Sequence, residues 1–326
     1  MSKKKKGIKN KKFLSVEDAA EYDYHLPVML RRTIDYLVTD VNGIYVDGTL
    51  GGGGHAAEIL SRLSFGGKLL AFDKDEEAIE HCRAKFWGEL STDSPRIVFV
   101  NDSFDKACDL AERGRISGIL LDLGLSSHQL DDGERGFSFR QNAPIDMRFG
   151  GKGESAETLL NASGAEELER IFSRYGEEPF SRSIARRIVE VTRATPIKNT
   201  FDLANIIDQI VPKRFLNKTL ARVFQAIRIA VNHELDVLET TLKNIPDSLA
   251  SSGRIVVLSY HSLEDRIVKN VFRDKSKIIQ SDSPFAEPAA LPTLKIITNK
   301  PIIADESELT ENPRARSAKL RVAEKI

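Results

Sequence analysis

The sequence predicts an α/β protein, a parallel sheet with helices on both faces, interrupted by a helical insert of roughly a hundred residues. Three observations carry that prediction. Between residues 44 and 122, short apolar runs alternate with helically spaced apolar residues. From about 155 to 245 only helical patterns occur, and strand patterns return after 253. Four consecutive glycines, Gly51 to Gly54, stand where the first strand hands over to the first helix.

The elements follow in order. Ile44-Tyr-Val46 is a strand ending on Asp47, and Ala56, Ile59, Leu60 and Leu63 mark a helix over about 54–63. Lys68-Leu-Leu-Ala-Phe72 is the second strand, with Asp73 at its carboxyl end. Asp75 is an N-cap for a helix over about 76–90, whose apolar residues Ile79, Cys82, Phe86 and Leu90 recur at spacings of three and four, with His81 on a polar face. A strand at 97–100 and a helix at about 104–113 lead to the strand 118–122, ending on Asp122. Residues 123–153 are rich in glycine and polar residues. One helix over about 221–242 carries an apolar stripe (Phe224, Ile227, Val231, Leu235, Leu238, Leu242) beside a polar one (Gln225, Arg228, Asn232, Asp236, Glu239). The segment 254–260 is a strand, a helix runs from about 263 to 273, 274–293 is a Ser/Pro-rich loop, and 294–303 and 318–323 are two late strands. The expected division is a basic, disordered tail over 1–22, an α/β domain over 23–125 and 246–326, and a loop plus helical insert over 126–245.

Composition narrows the class. Of 326 residues, 41% are apolar and 29% charged, ordinary for a globular chain, and no apolar run approaches the roughly 18 residues a membrane span needs. Two cysteines, Cys82 and Cys108, make a disulfide framework improbable, suit a cytoplasmic setting, and form no ligand-like cluster, so no metal is expected. The 48 basic and 48 acidic residues cancel, but seven lysines fall within the first 12 residues. That run reads either as a solubilising tail or as a phosphate-seeking arm.

The chemistry begins at the glycine turn. Bare backbone between a strand and a helix start lets a ligand approach the main chain and its unpaired N–H groups. Dehydrogenases, flavoproteins and methyltransferases all use such a turn. Asp73, about 20 residues past it, is placed to accept hydrogen bonds from two ribose hydroxyls. Asp122, at the end of another strand, enters the same crevice unless it merely caps the following loop, and Phe104 is placed to cover an adenine or to pack in the core. No strand-Gly-x-Ser-x-Gly-helix elbow exists to support a hydrolase triad through Ser262.

Nine motifs in one order extend this reading: His25-x-Pro-Val, Asp47-Gly-Thr-x-Gly-x-Gly-Gly-His55, Asp122-Leu-Gly-x-Ser-Ser-x-Gln-Leu-Asp131, Arg135-Gly-Phe-Ser-Phe139, Asp146-Met-Arg148, Tyr175-Gly-Glu-Glu178, Phe224-Gln-Ala-x-Arg-Ile-x-Val-Asn232, His261-Ser-Leu-Glu-Asp-Arg266 and Asn312-Pro-Arg-x-Arg-Ser-Ala-Lys-Leu-Arg321. Together they resemble the bacterial MraW/RsmH family over about residues 24–322. The resemblance implies a Rossmann-like class I S-adenosylmethionine-dependent methyltransferase sheet with a helical inserted domain. It implies methylation of the N4 amine of a cytidine in the decoding region (P site) of 16S rRNA, in the small ribosomal subunit of the cytoplasm. Carried over residue by residue, Gly53, Gly54 and His55 hold the methionine part of the cofactor, Asp73 the ribose, Phe104 the adenine, and Asp122 and Gln129 the remaining polar edges.

A cytosine amine is a poor nucleophile because its lone pair is delocalised, so it must be aimed at the methyl group with its N–H bonds drawn toward an acceptor. Asp122, Asp146 and His261 are the candidates, His261 having an equally good structural reading. Phe137, Phe139 and Tyr260 are candidate walls for the base. Arg182, Arg186, Arg187 and Arg193 are candidates for RNA phosphates or for salt bridges with Glu177, Glu178 and Glu190. Two rival readings are a cofactor-binding ribosome-assembly factor without turnover and an NAD-type oxidoreductase.

Overall fold

The strand-forming runs assemble into one seven-stranded sheet in the order β3-β2-β1-β4-β5-β7-β6. The strands are β1 Ile44–Asp47, β2 Lys68–Phe72, β3 Ile97–Val100, β4 Ile116–Asp122, β5 Leu249–Ser259, β6 Leu294–Ile296 and β7 Lys319–Lys325. The computed structural model describes residues 27–110, 113–126, 129, 134–278 and 291–326. The Lys-rich segment, His25, Asp131 and most of the Ser/Pro-rich loop lie outside the described residues. The five strands β1 to β5 pair in parallel, and β7 runs antiparallel to both β5 and β6. This is the Rossmann-like class I methyltransferase sheet that the sequence predicts. The inserted antiparallel β7 separates it from the 3-2-1-4-5-6 dinucleotide fold.

Val46, Ile119, Leu121 and Val257 pack one face of the sheet against the helices Glu234–Asn244 and Ser262–Lys275. Tyr45, Leu120, Val256 and Leu258 pack the other against Leu30–Leu37 and Gly54–Arg62. The helices Ala156–Ala162 through Lys213–Asn232 have a hydrophobic core of their own, including Phe172, Ile184, Leu203 and Ile227. A crevice therefore opens at the carboxyl ends of β1, β2 and β4, at the switch point where strand order reverses between β1 and β4.

Four elements differ from expectation. The helix over 221–242 is two helices, Lys213–Asn232 and Glu234–Asn244, broken at His233 with φ 53°. The break lets Asn232 turn inward, where its side chain accepts from Phe149 N at 2.9 Å and donates to Met147 O at 2.7 Å. The helix over 76–90 breaks at Phe86, whose ring is drawn into the core, and His81 is buried rather than on a polar face. The helix over 104–113 begins as a 3-10 turn at Phe104–Lys106. The strand over 294–303 stops at Ile296, since Ile297 N and Thr298 N both donate to Val322 O and the chain then bends toward Pro301.

Candidate functional site

Parallel pairing brings three acids to one edge of the sheet. Asp47 closes β1, Asp122 closes β4, and Asp73 follows β2. Asp73 holds the glycine turn in place: its Oδ2 accepts from Gly51 N at 2.8 Å and its Oδ1 from Asp75 N at 2.9 Å. Burial raises its carboxyl to about 6 against the pull of those two backbone donors. Asp47 is fully buried; its Oδ1 accepts from Thr49 N at 3.1 Å, while its Oδ2 has no hydrogen-bond partner. Burial lifts this carboxyl to about 7, with the Asp122 and Asp73 charges adding to the shift and the Thr49 amide opposing it.

Asp122 is held from several sides. Its backbone N–H donates to Thr49 Oγ1 at 2.7 Å, and the Tyr260 hydroxyl donates to its Oδ1 at 2.7 Å. Its Oδ2 lies 3.6 Å from His55 Nδ1. The other ring nitrogen of His55, Nε2, is 3.3 Å from Val28 O, where only a donor is favourable, so Nδ1 carries a lone pair. Burial lowers the His55 pKa more than the nearby Asp122 raises it, which keeps the ring neutral.

Two chambers meet at Asp122, Leu123, Gly124 and Ser126. The smaller, of about 110 Å³, is lined by Gly48, Asp73, Ser103, Phe104 and Gln129. The larger, of about 1000 Å³, is lined by Gly52, Gly54, His55, Phe137, Phe139, Arg228, Tyr260 and His261. Most of the sequence-predicted residues thus converge. Gln129 is buried, its side-chain oxygen accepting from Ser126 N at 3.1 Å. Gly53 does not line either chamber: with φ 71°, its missing Cβ would lie 2.8 Å from Cys82 Sγ, so it serves the packing of the turn on the next helix. The missing Cβ of Gly54 points at Pro27 Cγ, 2.2 Å away, leaving only its backbone for the chamber.

Asp146, a catalytic candidate from the sequence, lines neither chamber. Met147 takes φ 59° to bury its side chain in the insert core, which folds Arg148 back onto Asp146 at 2.8 and 2.6 Å. Burial alone would raise the Asp146 carboxyl, but these Arg148 hydrogen bonds outweigh it and hold it low. His261 lines the larger chamber, yet it serves as N-cap of the helix Ser262–Lys275 and faces Glu264, with Nε2 3.0 Å from Oε1. Phe137 stacks on Phe149 at a centroid distance of 5.6 Å and Phe139 meets Phe224 edge-on at 5.5 Å, so both are packed as well as chamber-facing. In the C-terminal segment, Arg321 is buried against Asp265 at 2.6 Å. Arg187 pairs with Glu190 at 2.9 Å, whereas Arg182, Arg186 and Arg193 are exposed.

Sequence reasoning missed Asp47, Glu234 and Glu264. The acid at the end of β1 was a readable signal for Asp47, and the His261-x-x-Glu264 capping box for Glu264; nothing local marked Glu234. Asp47 yields a pH prediction. From its ordinary value of 3.8 up to about 7, the folded state holds a proton that the unfolded chain has released, so stability falls as pH rises through that window. Asp47→Asn removes that titration and should gain on the wild type by on the order of 4 kcal/mol between about pH 4 and pH 8. Thermal melts of both proteins at the two pH values check this, and an offset independent of pH refutes it.

The donor set fits a nucleoside cofactor: a half-buried acid at the end of β2, an aromatic residue after β3 and a buried glutamine line the smaller chamber together. Among the described residues, no helix is long and apolar enough to cross a membrane and no His/Cys/Asp/Glu group could hold a metal ion. Comparison with known proteins adds to the geometry. The chain is 45% identical over 310 residues to a ribosomal RNA small subunit methyltransferase H of Hydrogenovibrio crunogenus, covering 93% of this chain and 96% of that protein. It is 42% identical over 313 residues to the protein of the same name from Heliobacterium mobile, covering 93% and 99%. A solved S-adenosylmethionine-dependent O-methyltransferase from Thermotoga maritima is far more distant, at 9% identity and a TM-score of 0.38 over 96% of this chain and 72% of that one. With the family model matching residues 23–326, the chain belongs to the MraW methylase family.

Proposed function

We propose that this protein transfers a methyl group from S-adenosylmethionine to the N4 amine of a cytidine in the decoding region of 16S rRNA, acting in the cytoplasm on the small ribosomal subunit. The observation that carries the reading is the meeting of the two chambers at Asp122. The smaller has the acid and aromatic residue suited to an adenosine, and the larger has the volume and aromatic walls for an extruded base. The relatives named above as ribosomal RNA small subunit methyltransferases supply the substrate class.

Asp73 would hold the ribose, Phe104 the adenine face, Gln129 a polar edge, and the backbone of Gly52 and Gly54 with His55 the methionine part. When bound, the cofactor supplies an electrophilic methyl group on a sulfonium. Asp122 accepts an N–H of the amine, which turns the nitrogen lone pair toward the smaller chamber. The proton released as the new C–N bond forms passes to Asp122 Oδ2, and the His55 Nδ1 lone pair lies 3.6 Å beyond. The exposed Arg182, Arg186 and Arg193 are suited to RNA phosphates.

An oxidoreductase reading fits less well, because the antiparallel β7 departs from the dinucleotide fold. The test is mass spectrometry of 16S rRNA nucleosides from cells with and without the gene, joined to transfer of labelled methyl groups by the purified protein. N4-methylcytidine that disappears with the gene and is restored in vitro supports the reading. Cofactor binding without transfer would favour the assembly-factor alternative, and a different methylated nucleoside would refute the cytosine assignment.

A further inference from the structure

The wall between the two chambers contains a buried charge pair. Arg228 lines the larger chamber and Glu234 the smaller, on either side of the break at His233. Arg228 Nε donates to Glu234 Oε1 at 2.8 Å and one terminal nitrogen donates to Oε2 at 3.0 Å. Both side chains are only 13% exposed. Such a fork fixes the plane of the guanidinium, and its remaining terminal nitrogen has no partner among the described residues. A guanidinium N–H pair left without a protein partner on a residue that lines a ligand chamber is a donor open to an acceptor there.

Cytosine offers what this chamber lacks. Beside the N4 amine, a donor, its edge carries two acceptors, N3 and O2; uracil reverses the pattern at positions 3 and 4. Asp122 on the same chamber is an acceptor for the amine, and Arg228 is a donor for the other two positions. We propose that Arg228, held in plane by Glu234, donates to the N3 and O2 atoms of the target cytosine and is a specificity-determining residue for the base. This rests on the cytosine reading above.

The test uses the full chain and small-subunit particles carrying, at the methylated position, either cytidine or 3-deazacytidine, in which a C–H replaces the N3 acceptor while the amine and O2 remain. Wild-type kcat/KM should be lower for the deaza substrate by roughly 10- to 100-fold, the range for one good base-edge contact. Arg228→Lys should lose a similar factor on cytidine and little more on 3-deazacytidine, with affinity for S-adenosylhomocysteine within about twofold of wild type. Equal rates on the two substrates with the wild type overturn the proposal, a result that needs no variant to fold. Undiminished discrimination in Arg228→Lys overturns it as well. If no N4-methylcytidine forms on the natural substrate, the cytosine reading fails instead, which is a separate result.

Discussion

Asp122→Asn should abolish most methyl transfer, by about 10²-fold or more in kcat, while cofactor affinity changes by less than about tenfold. The residue lies where the two chambers join, so it alone among the three clustered acids faces both. The substitution keeps the shape and the backbone anchor on Thr49 but replaces a charged acceptor with an amide. The amide has one oxygen, already addressed by the Tyr260 hydroxyl, and its NH₂ group would meet the substrate amine donor to donor. Single-turnover rates with saturating RNA, set beside calorimetric binding of S-adenosylhomocysteine, separate the two effects. A loss of rate no greater than the loss of cofactor affinity would remove Asp122 from the chemistry and leave it a binding residue.

Asp73→Ala should act on the other quantity. In its proposed role the half-buried Asp73 accepts two ribose hydroxyls through charge-assisted hydrogen bonds of about 1.5–3 kcal/mol each, so affinity for S-adenosylhomocysteine should fall by roughly 10²- to 10⁴-fold. Part of that loss is indirect, because Gly51 N and Asp75 N would both lose their acceptor and the glycine turn would loosen. Asp73→Asn divides the two contributions: its one side-chain oxygen can still hold Gly51, but the charged acceptor is gone. Calorimetry on both variants decides. Wild-type affinity in Asp73→Ala would displace the ribose from this end of the sheet, and the smaller chamber would lose its assignment.

Much of this architecture is legible in the sequence because its signals are local. A strand, its turn and the next helix are specified within about twenty residues by apolar periodicity and glycine placement, and the acids Asp47, Asp73 and Asp122 mark strand ends directly. Parallel pairing then puts those ends side by side, so the convergence of Asp73, Phe104 and Asp122 on one chamber was legible in the sequence. The fate of Asp146 was not, although its partner is only two residues away. It depended on Met147 entering the insert core in a left-handed conformation, which is a packing decision.

The same holds for the helix broken at His233. Its periodicity runs on unbroken through the sequence, and only the contacts of Asn232 with Met147 and Phe149, more than eighty residues earlier, account for the turn. From that break come the Arg228–Glu234 pair and the wall that divides one crevice into two chambers. The sequence by itself determined the sheet, the glycine turn and the acids at the strand ends, since each follows from the preferences of neighbouring residues. Tertiary structure decided which polar side chains face the substrate and which are spent on holding the fold, because burial and long-range partners, not local pattern, determine where a charged group can remain unpaired.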